Sequence, residues 1–155
     1  MKTSYLYITE RIDIFCPNYT EYLWDIIAII KNDNKYISND VLKYFTLAYV
    51  SEMIEKDIIY VGNEWITNNT LKYWELSKDE IINRINEMWF ENAEYPDFLG
   101  MVWFGFQEWY IEALKKEGYG KERMLWADFV EKNIGDLEKW IEENKPKDGI
   151  DDENK

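Results

Sequence analysis

The chain has 155 residues, with 31 acidic and 18 basic side chains, no histidine and a formal net charge of −13 at neutral pH. Histidine supplies most general bases near pH 7 and much of zinc and iron ligation, so its absence removes Ser-His-Asp and Cys-His hydrolases, H-E-x-x-H proteases and most transition-metal sites. A surface of this charge repels DNA, RNA and anionic membrane leaflets, and its expected partner is basic.

At the N-terminus, Thr9, Glu10, Arg11 and Asp13 interrupt the apolar character, so no signal-peptide core is expected. Cys16 has no second cysteine to pair with and no base beside it in sequence, which predicts a packed thiol in a reducing compartment. Asn18 and Thr20 offer N-caps for a helix carrying Tyr22, Leu23, Ile26, Ile27, Ile29 and Ile30. That helix is apolar on most sides, hence central, and should stop in the polar stretch 31–34. A second helix is predicted from Ser38 or Asn39 to near Asp57, with Asp40 at its positive end and Val41, Leu42, Phe45, Ala48, Tyr49, Glu52 and Met53 along one stripe. Residues 58–61 and 64–67 flank Gly62-Asn63, a dipeptide that tolerates positive φ, and this predicts a β-hairpin over 58–67. Asn68-Asn69-Thr70 follows as a turn or as the cap of a short piece over 71–76.

Ser77-Lys78-Asp79-Glu80 forms a capping box, in which the Ser77 hydroxyl accepts from the third helical N–H while Glu80 reaches back to the Ser77 N–H. The helix it opens carries Ile81, Ile82, Ile85, Met88 and Trp89 on one side. Residues 91–97 read as a loop, since Pro96 disfavours helix at Tyr95. The apolar run 99–106 fits a buried strand or the first turns of a buried helix equally well. Residues 107–116, with Trp109, Tyr110, Ala113 and Leu114 ahead of a Gly118 stop, read as helix. A last helix is predicted from about Lys121 to Asn144, turning Leu125, Trp126, Phe129, Val130, Ile134, Leu137 and Ile141 inward. Residues 145–155, with Ile150 as the one large apolar side chain, have too few apolar groups to pack and are expected to be a mobile acidic tail.

Low proline and glycine beside abundant Leu, Ile, Glu and Lys favours helices over a turn-rich sandwich, although 8 Trp, 12 Tyr and 7 Phe all need places to go. A chain of this length buries about 68–70% of its unfolded surface and needs one core. The expected fold is therefore mainly α (α+β with a minor β-hairpin), a compact single-domain bundle of about five helices over residues 1–144. No apolar stretch approaches the roughly 20 residues of a spanning helix, so a cytoplasmic protein without a membrane partner is expected.

Among sites that carry chemistry, the helix, hairpin, helix order over 38–89 has the outline of a winged helix. Its bases, Lys43, Lys56, Lys72, Lys78 and Arg84, are outnumbered by carboxylates, so no nucleic-acid partner is expected. Carboxylate pairs such as Glu108 and Glu112 arise by chance in so acidic a chain and read as a solvated face. There is no D-x-D-x-D-G calcium loop, Asp148, Asp151, Asp152 and Glu153 falling in the tail, and no glycine-rich phosphate loop. The reading is a non-enzyme with no catalytic residue, no metal and no cofactor.

The acid excess is uneven, with nine acids and six bases up to residue 63 against 22 and 12 beyond it. Glu87, Glu91, Glu94 and Asp97 run without an intervening base and interleave with Trp89, Phe90, Tyr95 and Phe98. Carboxylates beside large rigid aromatics are what a surface needs to steer toward, and then anchor on, a basic partner. The competing reading places Trp89 and Phe98 in the core and leaves the acids to solvate a loop.

The run 41–61, closing with Met53-Ile54-Glu55-Lys56-Asp57-Ile58-Ile59-Tyr60, is followed by Ser77-Lys78-Asp79-Glu80-Ile81, Met88-Trp89-Phe90, Gly100-Met101-Val102-Trp103 and Glu108-Trp109. This order resembles small bacterial immunity proteins of contact-dependent growth inhibition systems, over residues 38–109. The resemblance implies a non-enzymatic inhibitor that binds the C-terminal toxin domain of a secreted effector. A nuclease toxin presents a basic phosphate-binding cleft, which an acidic protein can cover as a phosphate mimic. The expected function is thus neutralisation of a basic, cytoplasm-acting toxin, with Glu87, Glu91, Glu94, Asp97, Trp89 and Tyr95 as the toxin-binding residues. Two other readings stay open: a nucleic-acid-mimicking inhibitor of a host or phage protein, of the anti-restriction or anti-defence type, and a histidine-free carboxylate hydrolase.

Overall fold

The computed structural model describes residues 11–147, which fall into two compact units divided between Phe106 and Gln107. The expected single domain over 1–144 did not include this division, and each unit is described by itself. The acidic tail expected from residue 145 lies, from position 148 onward, outside the described residues.

The first unit opens with a 3-10 turn, Arg11–Phe15, followed by α1 (Leu23–Asp33) and α2 (Asn39–Glu55). Strands β1 (Ile59–Thr67) and β2 (Thr70–Tyr73) come next, then α3 (Lys78–Met88), the single turn α4 (Tyr95–Phe98) and β3 (Trp103–Phe106). No residue from 22 to 30 is exposed, as expected for a central helix, and Leu23, Ile26, Ile27 and Ile30 of α1 are fully buried. Its cap differs from expectation. Tyr22 rather than Asn18 or Thr20 stands at the cap, and Asp25, in the first turn, reaches back to accept from Glu21 N (2.7 Å) and Tyr22 N (3.1 Å) just ahead of the helix. Helix α2 begins as predicted, with Ser38 Oγ accepting from Val41 N. It ends where Asp57 turns to φ 59°. The capping box of α3 is present in both directions, Glu80 N donating to Ser77 Oγ (3.2 Å) and Ser77 N to Glu80 Oε1 (2.8 Å).

The three strands form an antiparallel sheet in the order β2-β1-β3. The hairpin is displaced from its predicted position: residues 59–67 form one strand, and the chain reverses at Asn68-Asn69, where Asn69 N donates to Thr67 Oγ1 (3.2 Å). Gly62 is in mid-strand with no positive φ, beside a register irregularity between Gly62 and Glu64. Its lack of a side chain serves a close approach, since a Cβ there would run into the Lys72 carbonyl. The ambiguous run 99–106 ends as strand, Val61 pairing Phe104 and Tyr60 pairing Gly105. Its outer edge is covered in turn by the chain entering α1, Phe104 N donating to Glu21 O (2.8 Å). The expected loop 91–97 holds α4, with Pro96 in its first turn, where a missing N–H costs no helical hydrogen bond.

In the second unit, α5 (Glu108–Lys116) forms within the stretch 107–116 read as helix and buries Tyr110 and Leu114. The single helix expected over 121–144 is instead α6 (Trp126–Phe129), a π-helical turn (Val130–Ile134) and α7 (Leu137–Asn144). Gly135 interrupts it at φ 89°, its N–H reaching back to Val130 O (2.7 Å), and Asp136 then caps α7 by accepting from Lys139 N (3.2 Å). Leu125, predicted to point inward, precedes the first turn and is 68% exposed. Asn133 Nδ2 donates to Glu117 O (2.7 Å) and Trp140 Nε1 to Glu117 Oε2 (2.9 Å), tying this segment to the end of α5. The described residues thus hold seven α-helices, five of eight residues or more and two single turns, with a three-stranded sheet. The fold is α+β.

Candidate functional site: an acidic and aromatic groove

A groove of about 520 Å³ opens in the first unit between α1, the first turns of α2 and the segment 89–98. Four of the six predicted binding residues line it: Trp89, Glu91, Glu94 and Tyr95. Trp89 is only 8% exposed and meets Phe98 edge-on at 5.0 Å, so it is a wall, while Glu91, Glu94 and Tyr95 are exposed at the rim. Glu87 and Asp97 are exposed outside the lining, and the Asp97 carboxylate is engaged as a cap, accepting from Glu94 N (2.8 Å). Between them Asn92 adopts φ 69°, a left-handed conformation that asparagine tolerates, and Ala93 N donates to Phe90 O (3.2 Å). This tight turn holds Glu91 and Glu94 at the mouth.

Residues from the first two helices complete the site. Trp24 of α1 meets Tyr95 edge-on at 5.1 Å and Phe98 at 5.5 Å, forming the opposite aromatic side. Asp40 of α2 adds a third carboxylate to the lining. Two bases are present as well, Lys31 and Lys43, so the stretch that is base-free along the chain is not base-free in space. Lys43 is committed to structure, its ammonium donating to Asn86 O (3.1 Å) and Trp89 O (2.9 Å), carbonyls at the negative end of α3. Lys31 lies 5.8 Å from the centre of the Trp24 ring. Trp24, Asp40 and the two lysines escape a sequence reading because no local pattern joins positions 24, 31, 40 and 91. Only the packing of α1, α2 and α4 brings them together.

The Tyr95 hydroxyl shares a hydrogen bond with Tyr22, and this bond, with burial and the nearby Tyr95, Asp25 and Glu21, raises the Tyr22 phenol above its usual value near 10. The phenol therefore stays protonated further into the alkaline range than a free tyrosine. Three carboxylates against two ammonium groups leave the lining acidic by one charge, with the Lys43 ammonium engaged by helix carbonyls, and the flat rings beside them suit a cationic group flanked by apolar surface. Among the described residues, no group of three or more Asp, Glu or Cys is placed to hold a metal, and no helix is long and apolar enough to cross a membrane.

No protein-family model, no curated protein and no solved structure matches this chain.

Proposed function

We propose that this protein is an immunity protein that binds and neutralises a cognate basic toxin domain, the C-terminal domain of a secreted effector, acting as a nuclease in the cytoplasm. The observation that carries the reading is the groove in which Asp40, Glu91 and Glu94 stand beside Trp24 and Tyr95. The net charge of −13 attracts a basic domain over a distance set by ionic strength, and the aromatic walls then supply contact area with little side-chain entropy to lose. Carboxylates at the mouth compete with substrate phosphates for the toxin's lysines and arginines. The order of elements over 38–109, which resembles immunity proteins of contact-dependent growth inhibition, supports the same reading.

Co-expression with the product of the gene immediately upstream, the expected position of the toxin, tests it. Glu91→Lys with Glu94→Lys should abolish protection in a growth assay, while Glu87→Lys with Asp97→Lys, outside the groove, should reduce it less. Full protection by a protein carrying all four changes would show that inhibition does not use this surface.

A further inference from the structure

The sheet of the first unit has an unusual outer face. One side of an antiparallel sheet normally packs on the core while the other is polar. Here Ile59, Val61 and Phe104 are buried on one side, and the alternate positions on the other are Tyr60, Trp65, Tyr73 and Trp103 with Leu71 buried among them. Trp65 is 46% and Tyr73 56% exposed. Gly62 and Gly105 lie between these rings in register, Gly62 opposite both Trp103 and Tyr73, and Gly105 opposite Tyr60, whose ring occupies the space a Cβ would need.

The rings continue beyond the sheet. Trp65 meets Trp103 edge-on at 5.5 Å, and Trp103 lies 4.8 Å from Tyr22. Tyr22 is hydrogen-bonded to Tyr95, which meets Trp24 at 5.1 Å on the groove wall. An unbroken line of aromatics thus runs from the hairpin to the acidic groove. Acids accompany the groove end of this line: Glu21 and Asp25 act on Tyr22, and Glu94 adjoins Tyr95, whereas Glu64 alternates to the opposite face from Trp65 and pairs with Lys72 at 3.8 Å. The protein's own cations lie over other rings, Arg84 over Trp74, Lys31 over Trp24 and Lys43 over Trp89. Among the described residues none lies over Trp65, Tyr73 or Trp103.

From this we infer that the outer face of the sheet is a second contact surface for the same toxin domain, receiving an arginine- or lysine-bearing segment whose cationic groups stack on Trp65, Tyr73 and Trp103. The inference rests on the reading of the groove as the toxin-binding site and extends it along the aromatic line. Exposed apolar patches of this kind mark interaction sites, rings held by their neighbours lose little freedom on binding, and cations over desolvated rings are attracted to their faces. The acids at the Tyr22 and Tyr95 end of the line disfavour an acidic partner there.

The probe is a catalytically inactivated form of the C-terminal domain encoded by the gene immediately upstream, titrated by calorimetry against four forms of the full chain. The wild type should bind. Trp65→Ala with Tyr73→Ala should weaken binding by about tenfold or more, Trp65→Phe with Tyr73→Phe should recover most of the loss, and Glu91→Lys with Glu94→Lys should weaken it independently. If the alanine pair binds as the wild type does while the groove variant is weakened, the sheet-face inference fails and the groove reading stands. If the wild type does not bind the domain, the groove reading fails and takes the inference with it. Because the alanine pair could disturb the hairpin, amide hydrogen exchange of the wild-type complex supplies a separate readout. Added protection over 60–73 and 103–106 is expected, and unchanged exchange there would overturn the inference.

Discussion

At the residue scale, two glycines in one sheet carry different constraints. At Gly62 a Cβ would meet the Lys72 carbonyl, part of a paired backbone that cannot retreat without breaking the β1–β2 ladder. At Gly105 it would meet the far end of the Tyr60 ring, which can swing outward. Gly62→Ala should therefore cost about 1–3 kcal/mol of overpacking, and Gly105→Ala about 0.5–1.5 kcal/mol of rotamer displacement, compared through denaturant midpoints at constant slope. Tyr22 carries a pH dependence of definite sign. Its phenol is raised in the folded state, first by the Tyr95 hydrogen bond, so the unfolded chain ionises first as pH climbs past about 10. The stability from this pair is fully present below that pH and is lost as pH rises through the folded value. Lys78, raised by Glu55 at 2.9 Å, acts in the same direction, although as an exposed pair it contributes little. Thermal melts across the alkaline range should show a shallower decline for Tyr22→Phe than for the wild type, and an equally steep decline would remove the phenol from this role.

At the element scale, what was readable in the sequence was whatever depends on neighbours within a turn or two. The Ser77–Glu80 box and the Ser38 cap rest on spacings of three residues, and both appear as expected. Gly62-Asn63 has the chemistry of a tight turn, yet the chain continues through it as strand, because Gly62 pairs with Tyr73 of β2 beside a register irregularity that brings the Lys72 carbonyl close. Apolar spacing continues on both sides of Gly135 and predicts one uninterrupted last helix. A π turn over Val130–Ile134 shifts that spacing, and Gly135 accepts φ 89° and ψ −114°, a conformation costly for any residue with a Cβ. Gly135→Ala should destabilise the protein by about 1–3 kcal/mol through this strain, read from the thermal midpoint. A neutral result would mean that α7 can join the π turn without that conformation.

At the scale of the whole molecule, the net charge of −13 has two consequences with opposite dependence on salt. Self-repulsion opposes the folded state, so raising ionic strength from about 0.01 to 0.15 M, which shortens the screening length from about 30 to 8 Å, should raise the melting temperature of the free protein. The same screening weakens attraction of a basic partner and should slow association with the inactivated toxin domain, leaving dissociation largely unchanged. Melting curves and stopped-flow rates over one salt series measure both. A melting temperature that fell with salt would indicate that local ion pairs such as Lys78–Glu55 outweigh the general repulsion.

Composition and short-range spacing were enough to determine the sign of the charge, the lack of histidine, the helical character, the starts of α2, α3 and α5 and the acidic, aromatic stretch around Trp89. These follow from residue types and from contacts a few positions apart. Tertiary structure alone decided that Asp40 and Trp24 join Glu91, Glu94 and Tyr95, that Lys31 and Lys43 share their groove, and that Glu87 and Asp97 stay outside it. It also decided that 103–106 becomes a strand and that the outer sheet face is lined with rings. Each of those outcomes depends on pairings between residues tens of positions apart. A strand's register and a groove's walls are chosen by the packing of whole elements, which no local pattern encodes.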